Sequence, residues 1–232
     1  MSKTAGIIGG MGPLSTMELM KKIYFLTKVE KEQEHLRLLV DNRPQIPDRT
    51  AYILGQGPSP LPMLRESARL LQQAGVDFLA MACNTAHYFY HDISSSISIP
   101  FLNMLQLAGH EIVQQMGLGE IIAVLTTSGA RTCRLYEPYL TGYTLIYPSP
   151  EIQETCLMEA VYGRGGIKSD TVSVQNKNKI SKAIDEVVQQ HPAMIIAGCT
   201  EIELALKQMS ISMPVLYPMD LLAAEIIRMA TS

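Results

Sequence analysis

The residues from Ser96, SISIPFLNMLQLAGHEIVQQM, align without a gap on those from Ser210, SISMPVLYPMDLLAAEIIRMA. Pro100 falls on Pro214, Leu102 on Leu216 and Glu111 on Glu225. The repeat extends upstream. RLLQQAGVDFLAMAC ends at Cys83, and EVVQQHPAMIIAGC ends at Cys199, half the chain length later. Each reads as the end of an amphipathic helix, a short break and an apolar strand. The strands are apolar throughout rather than alternating, as a parallel sheet covered on both faces requires. A chain of 232 residues built this way is expected to fold the same way twice.

Further strand candidates strengthen that expectation. AGIIGG (5–10) and EIIAVLTTSG (120–129) open the two halves, and each runs through glycine into a helix. LRLLVDN (36–42) and YTLIYP (143–148) are shorter. Strands alternating with helices predict parallel α/β layers. The fold class is therefore α/β, as two pseudo-symmetric lobes, each a parallel sheet flanked by helices.

Composition excludes several functions. Hydrophobic residues make up 47% and charged residues 18%, with a net charge of −3 and the two signs mixed along the chain. That leaves no basic footprint for nucleic acid and no polybasic segment for a membrane surface. No apolar run reaches the ~18 residues that span a bilayer. The N-terminal MSKTAGIIGGMGP is too short and too glycine-broken for a signal peptide, so the expected compartment is the cytoplasm. Cys83, Cys133, Cys156 and Cys199 include no CxxC pair, which argues against a disulfide framework or a structural zinc site.

Ligands of open parallel sheets bind beyond the carboxyl ends of the strands. Cys83 and Cys199 both stand at such ends. A helix after each cysteine is expected to offer free N–H groups to a carboxylate and to lower the thiol pKa from about 8.5. Asn84, Thr85 and Thr200 add side-chain donors. If the lobes face one another, two thiols approach one carbon from opposite sides. One removes a proton and the other supplies one, giving the mirror-image molecule. Glu201 either tunes Cys199 or fills the first helical turn.

Other signals carry less. GGMGP fails the G-x-G-x-x-G pattern because Ser15 stands where glycine is needed, and Pro13 suits a helix start. His87 and His91 are spaced i, i+4 as metal ligands can be, but no third ligand is evident, so they read as satisfied or solvent-facing. Cys133 and Cys156 have no counterparts in the repeat and read as structural.

Taken in order, GIIGGMGPLST, PQIPDRTAYIL, ACNTAH, GIKSD and GCTEI resemble the aspartate/glutamate racemases, closest to the aspartate racemase branch. Glutamate racemases show Asp-Ser-Gly and GCTH where this chain has GGMGP and GCTE. The resemblance implies a racemase working without pyridoxal phosphate, other cofactor or metal, interconverting L- and D-aspartate, with glutamate as the alternative substrate, as a homodimer. It implies Cys83 and Cys199 as the catalytic pair. It also implies Met11, Gly12, Arg49, Asn84, Thr85, Lys168 and Thr200 as substrate-binding residues, with Arg49 gripping the side-chain carboxylate or organising the site. The implied active site lies in the cleft between the lobes. The implied first lobe is discontinuous, residues 1–98 plus 215–232, and the second is 99–214. Competing readings are a broad-specificity racemase, a small-dicarboxylate decarboxylase or isomerase of the same superfamily, and a non-catalytic amino-acid-binding protein.

Overall fold

The two halves of the repeat become two parallel sheets that share the order of their first three strands, the second sheet carrying a fourth at its edge. The structure is a computed structural model describing residues 3–169 and 171–232. Met1, Ser2 and Asp170, the last residue of GIKSD, lie outside the described residues. The chain divides into one unit of Met1–Leu107 and Met219–Ser232, and a second of Ala108–Pro218.

In the first unit, β1 (Ala5–Gly9) is central, with β2 (Leu38–Asn42) and β3 (Phe78–Met81) parallel on either side. Its helices are α1 (Pro13–Leu26), α2 (Arg49–Ile53), α3 (Leu61–Gln73) and α4 (Tyr90–Ser94), and the division falls within α5 (Met104–Gln115). Consecutive strand residues face opposite ways. Ala5 and Ile7 join Leu19 and Ile23 of α1 in one core, while Ile8 joins Leu64, Ala68 and Leu71 of α3 in another. Both faces of β1 are thus covered, which is why its sequence does not alternate.

The second unit repeats this plan with β4 (Ile121–Thr126) central, β5 (Thr144–Ile146) on one side, and β6 (Met194–Gly198) then β7 (Val215–Leu216) on the other. Around it run α6 (Ser128–Thr132), α7 (Pro150–Ile152), α8 (Glu159–Tyr162), α9 (Val174–Val188) and α10 (Thr200–Leu206). A π-helical stretch, Gln153–Met158, joins α7 to α8. Ala123, Leu125, Ile195 and Ala197 pack with Leu157, Ile180 and Val187.

The last helix, α11 (Pro218–Thr231), belongs almost wholly to the first unit. Met219, Leu222, Ala223, Ile226 and Ala230 enter the core around Ala5 and Ile7, and Lys22 pairs with Asp220. Full burial of each large apolar side chain stabilises by about 1.5–3 kcal/mol.

The divisions at Leu107 and Pro218 differ from the boundaries at 98 and 214 that the resemblance implies. Strand pairing explains the difference. Leu79 N–H donates to Pro100 O at 2.8 Å and Leu102 N–H to Leu79 O at 2.9 Å, so residues 100–102 extend the first sheet. Val215 and Leu216 pair with β6 and stay in the second. No helix among the described residues is long and apolar enough to cross a membrane.

Candidate active site

The residues singled out in the sequence form two groups, one in each unit. The first gathers at the carboxyl ends of β1 and β3. Gly10 turns the chain at φ +88°, and a Cβ there would meet the Arg43 backbone at 2.4 Å. Only glycine makes this turn without strain. Gly10 N–H donates to Thr16 Oγ1 at 2.9 Å, and Gly12 caps α1 with Pro13 in its first turn. Met11 is buried in the core that also holds Ile46, Cys83 and Ala86.

Arg49 lies in the first turn of α2, where the Asp48 side chain accepts from Ala51 N–H at 2.8 Å. The guanidinium is buried. It donates to Met11 O at 3.1 Å, Pro47 O at 3.1 Å and Ile46 O at 3.3 Å. These bonds brace the Met11–Gly12 loop against the PQIPDR segment.

Cys83, Asn84 and Thr85 follow β3 and are all buried. A 3-10 turn (Thr85–Phe89) and the five-residue α4 come next, rather than one long helix. His87 is one turn beyond Cys83. Met104 N–H donates to His87 Nε2 at 3.1 Å, so that nitrogen carries no proton. The proton is therefore on Nδ1, which donates to Cys83 O at 2.8 Å. Both ring nitrogens are engaged by backbone, and burial lowers the imidazole pKa to about 4. His87 is thus satisfied, as expected, while His91 is exposed. The structure adds that His87 ties the Cys83 carbonyl to the start of α5. Its i+4 spacing from Cys83 was the available signal.

The second group stands beyond β6, beside the end of β4. Cys199 is the residue before α10, with extended backbone. Its Sγ–H donates to Glu201 Oε2 at 3.1 Å, and Thr200 Oγ1 donates to the same oxygen at 3.1 Å. Lys168 Nζ donates to Glu201 Oε1 at 3.0 Å. Burial opposes the charge on Glu201, yet the Lys168 ammonium and these donors hold its carboxyl down at about 2. Cys199 moves the other way. Burial, then the Glu201 charge, push its thiol well above the usual range, outweighing Lys168. The sequence-based expectation that the helix start lowers this thiol is corrected: α10 has only seven residues, and a buried carboxylate faces the sulfur.

The turn into Cys199 depends on Gly198. A Cβ there would lie 2.9 Å from Thr126 Cβ and 3.1 Å from the Tyr136 ring, while Thr126 Oγ1 donates to Gly198 O at 2.6 Å. Gly198→Ala is expected to cost about 1–3 kcal/mol through this overpacking. A melting temperature lowered by roughly 5 °C, read by circular dichroism, checks it.

Comparisons with known proteins agree on a family. The model of the Asp/Glu/hydantoin racemase family matches residues 8–226. The broad-specificity amino-acid racemase RacX of Bacillus subtilis strain 168 is 24% identical over 217 residues, 91% of each chain. The structure of an aspartate racemase from Picrophilus torridus superposes with a TM-score of 0.82 at 26% identity, covering 99% of this chain and 94% of that one. An aspartate racemase homologue from Pyrococcus horikoshii OT3 gives a TM-score of 0.72 at 24% identity, covering 99% and 100%, a likeness of fold.

Proposed function

This chain belongs to the Asp/Glu/hydantoin racemase family, and from that premise we propose that it interconverts L- and D-aspartate, one of Cys83 and Cys199 taking the α-proton and the other supplying its own proton to the opposite face. Its activity is that of an isomerase, an amino-acid racemase. The observation that carries the two-thiol reading is positional. Three strands keep the same order in each unit, and each unit presents a cysteine just beyond the corresponding strand, Cys83 after β3 and Cys199 after β6.

The chemistry needs one base and one acid on opposite faces of the same carbon. A thiolate takes the α-proton from one face, and a thiol returns a proton to the other. The carbanion between these steps places charge on the α-carboxylate. Asn84 and Thr85 are the side chains beside Cys83 that can donate to it, while the Thr200 hydroxyl beside Cys199 donates to Glu201. Arg49 in the first group and Lys168 in the second bring one cation to each, which supports a substrate with two carboxylates.

A second reading, a broad-specificity racemase, is favoured by a specific observation. Arg49 is committed to three backbone carbonyls, and Lys168 to Glu201, so neither is reserved for a side-chain carboxylate. The deciding experiment incubates the purified chain with L-aspartate in deuterium oxide, without added cofactor, and follows it by chiral chromatography and mass spectrometry. D-aspartate carrying deuterium at Cα is the expected product. Exchange with other amino acids but not aspartate would establish the broader reading, and no exchange across a panel would defeat both.

A further inference from the structure

We propose that Glu201, pinned by Lys168, is a positioning residue that holds Cys199 as a thiol with its S–H turned onto the carboxylate, so that Cys199 enters turnover as the proton donor. The inference rests on the racemase reading above, but its test does not.

The geometry makes the case. Glu201 is 2% exposed, and its two oxygens accept from three side chains: Lys168 on one, Cys199 and Thr200 on the other. The sulfur itself sits in an apolar cluster with Leu157 and Ile202. A thiolate there would face a carboxylate at 3.1 Å, and the Lys168 ammonium is bonded to the other oxygen of that carboxylate. Like charges this close in a poorly screened site cannot easily coexist. The other ionisable groups nearby do not relieve this. Tyr136 is kept neutral, first by its burial and then by the neighbouring Tyr147, and brings no positive charge. Glu203 is on the same helix as Glu201 and lies 4.0 Å from Lys207. Lys168 itself sits 5.3 Å from the Tyr162 ring centre, which favours its charged form.

In the donor step the Cys199 S–H bond breaks as the new Cα–H bond forms, and the electron pair stays on sulfur. Cys83 holds the proton taken from the other face. Proton exchange with water then restores the starting state. Glu201 neither gives nor takes a proton in this sequence. It sets the direction in which the thiol points and the form in which it waits.

The test is the pH dependence of iodoacetamide alkylation at Cys199, read by mass spectrometry of its peptide in substrate-free protein. In the wild-type chain the midpoint is expected above about 8.5, the value of an unperturbed thiol. In Glu201→Gln the carboxylate charge is gone and Lys168 is released. The midpoint is then expected to fall by about one unit or more, and alkylation at pH 7.5 to quicken about tenfold. A merely structural Glu201 would change the melting temperature and leave the midpoint in place. A wild-type midpoint at or below 8.5 overturns the proposal even if the variant does not fold. So does a folded Glu201→Gln whose rate at pH 7.5 stays within about threefold of wild type. Because no turnover is measured, loss of the racemase reading and loss of this inference are separate results.

Discussion

Cys83→Ala and Cys199→Ala are each expected to lower racemisation by about 10³-fold or more, about 4 kcal/mol of transition-state stabilisation, while retaining different halves of the reaction. A single surviving thiolate still removes the α-hydrogen that points at it. It then returns a solvent deuteron to the same face. Each variant therefore labels one enantiomer without producing the other, and the two variants label opposite enantiomers. Alanine is the replacement of choice because it removes the acid–base group from two buried positions without adding a hydroxyl. Deuterium incorporation into separate L- and D-aspartate samples, measured by mass spectrometry, reads the pattern. Labelling of the same enantiomer by both variants would refute two-base transfer, and so would near-full racemisation by either. The Cys199 environment adds a further expectation: Cys83→Ala is the weaker exchanger at neutral pH, because the sulfur it keeps is held as a thiol beside Glu201.

The repeat made much of the architecture readable. The strands of 5–10, 36–42 and 120–129 lie where the pattern puts them; for the central strands β1 and β4, burial on both faces leaves an unbroken apolar signature, whereas β2 is only half-buried. The segment after Ser96 shows the limit. Its sequence matches that after Ser210, yet Ser95 and Ser96 close the end of α4, and only Phe101 bridges to the sheet. Its counterpart forms the short strand β7. The π-helical stretch at Gln153–Met158 was invisible because its side chains repeat almost as an α-helix does, and the Gln153 side chain that reaches Thr126 O does so across the fold. In the candidate site, residue types and positions were legible but partners were not. The sequence places Lys168 in a glycine-rich loop, and only the tertiary fold pairs it with Glu201 rather than leaving it for a ligand. Glu201 sits in the first turn of α10 and also contacts the thiol, so the structure holds the position that each of its two sequence readings requires.

His87 should make the fold acid-sensitive in a window of its own. Its folded pKa lies at about 4, against the ordinary value of 6.5, because burial disfavours the imidazolium and Nε2 already accepts from Met104. Unfolded chains bind this proton first. The stability it confers is therefore complete above pH 6.5 and is lost as the pH falls toward 4, with no further loss below. The full loss amounts to about 3 kcal/mol, since each unit of displacement is worth about 1.4 kcal/mol. Glu201 has a depressed carboxyl at about 2, so its contribution is present above the ordinary 4.5 and disappears only below it. Between pH 6.5 and 4.5 the two do not overlap. His87→Gln keeps a donor and an acceptor but cannot take up the proton. It is expected to be less stable at pH 7 by about 1–3 kcal/mol through imperfect hydrogen bonds, and to lose stability more gently on acidification. The chain has no tryptophan, so urea unfolding at a series of pH values is followed by circular dichroism. Parallel pH dependences for the two proteins would mean that His87 takes up its proton as readily in the folded state as in the unfolded one. The Met104 N–H could not then donate to Nε2, and the tie from α5 to Cys83 would have to be made by other groups.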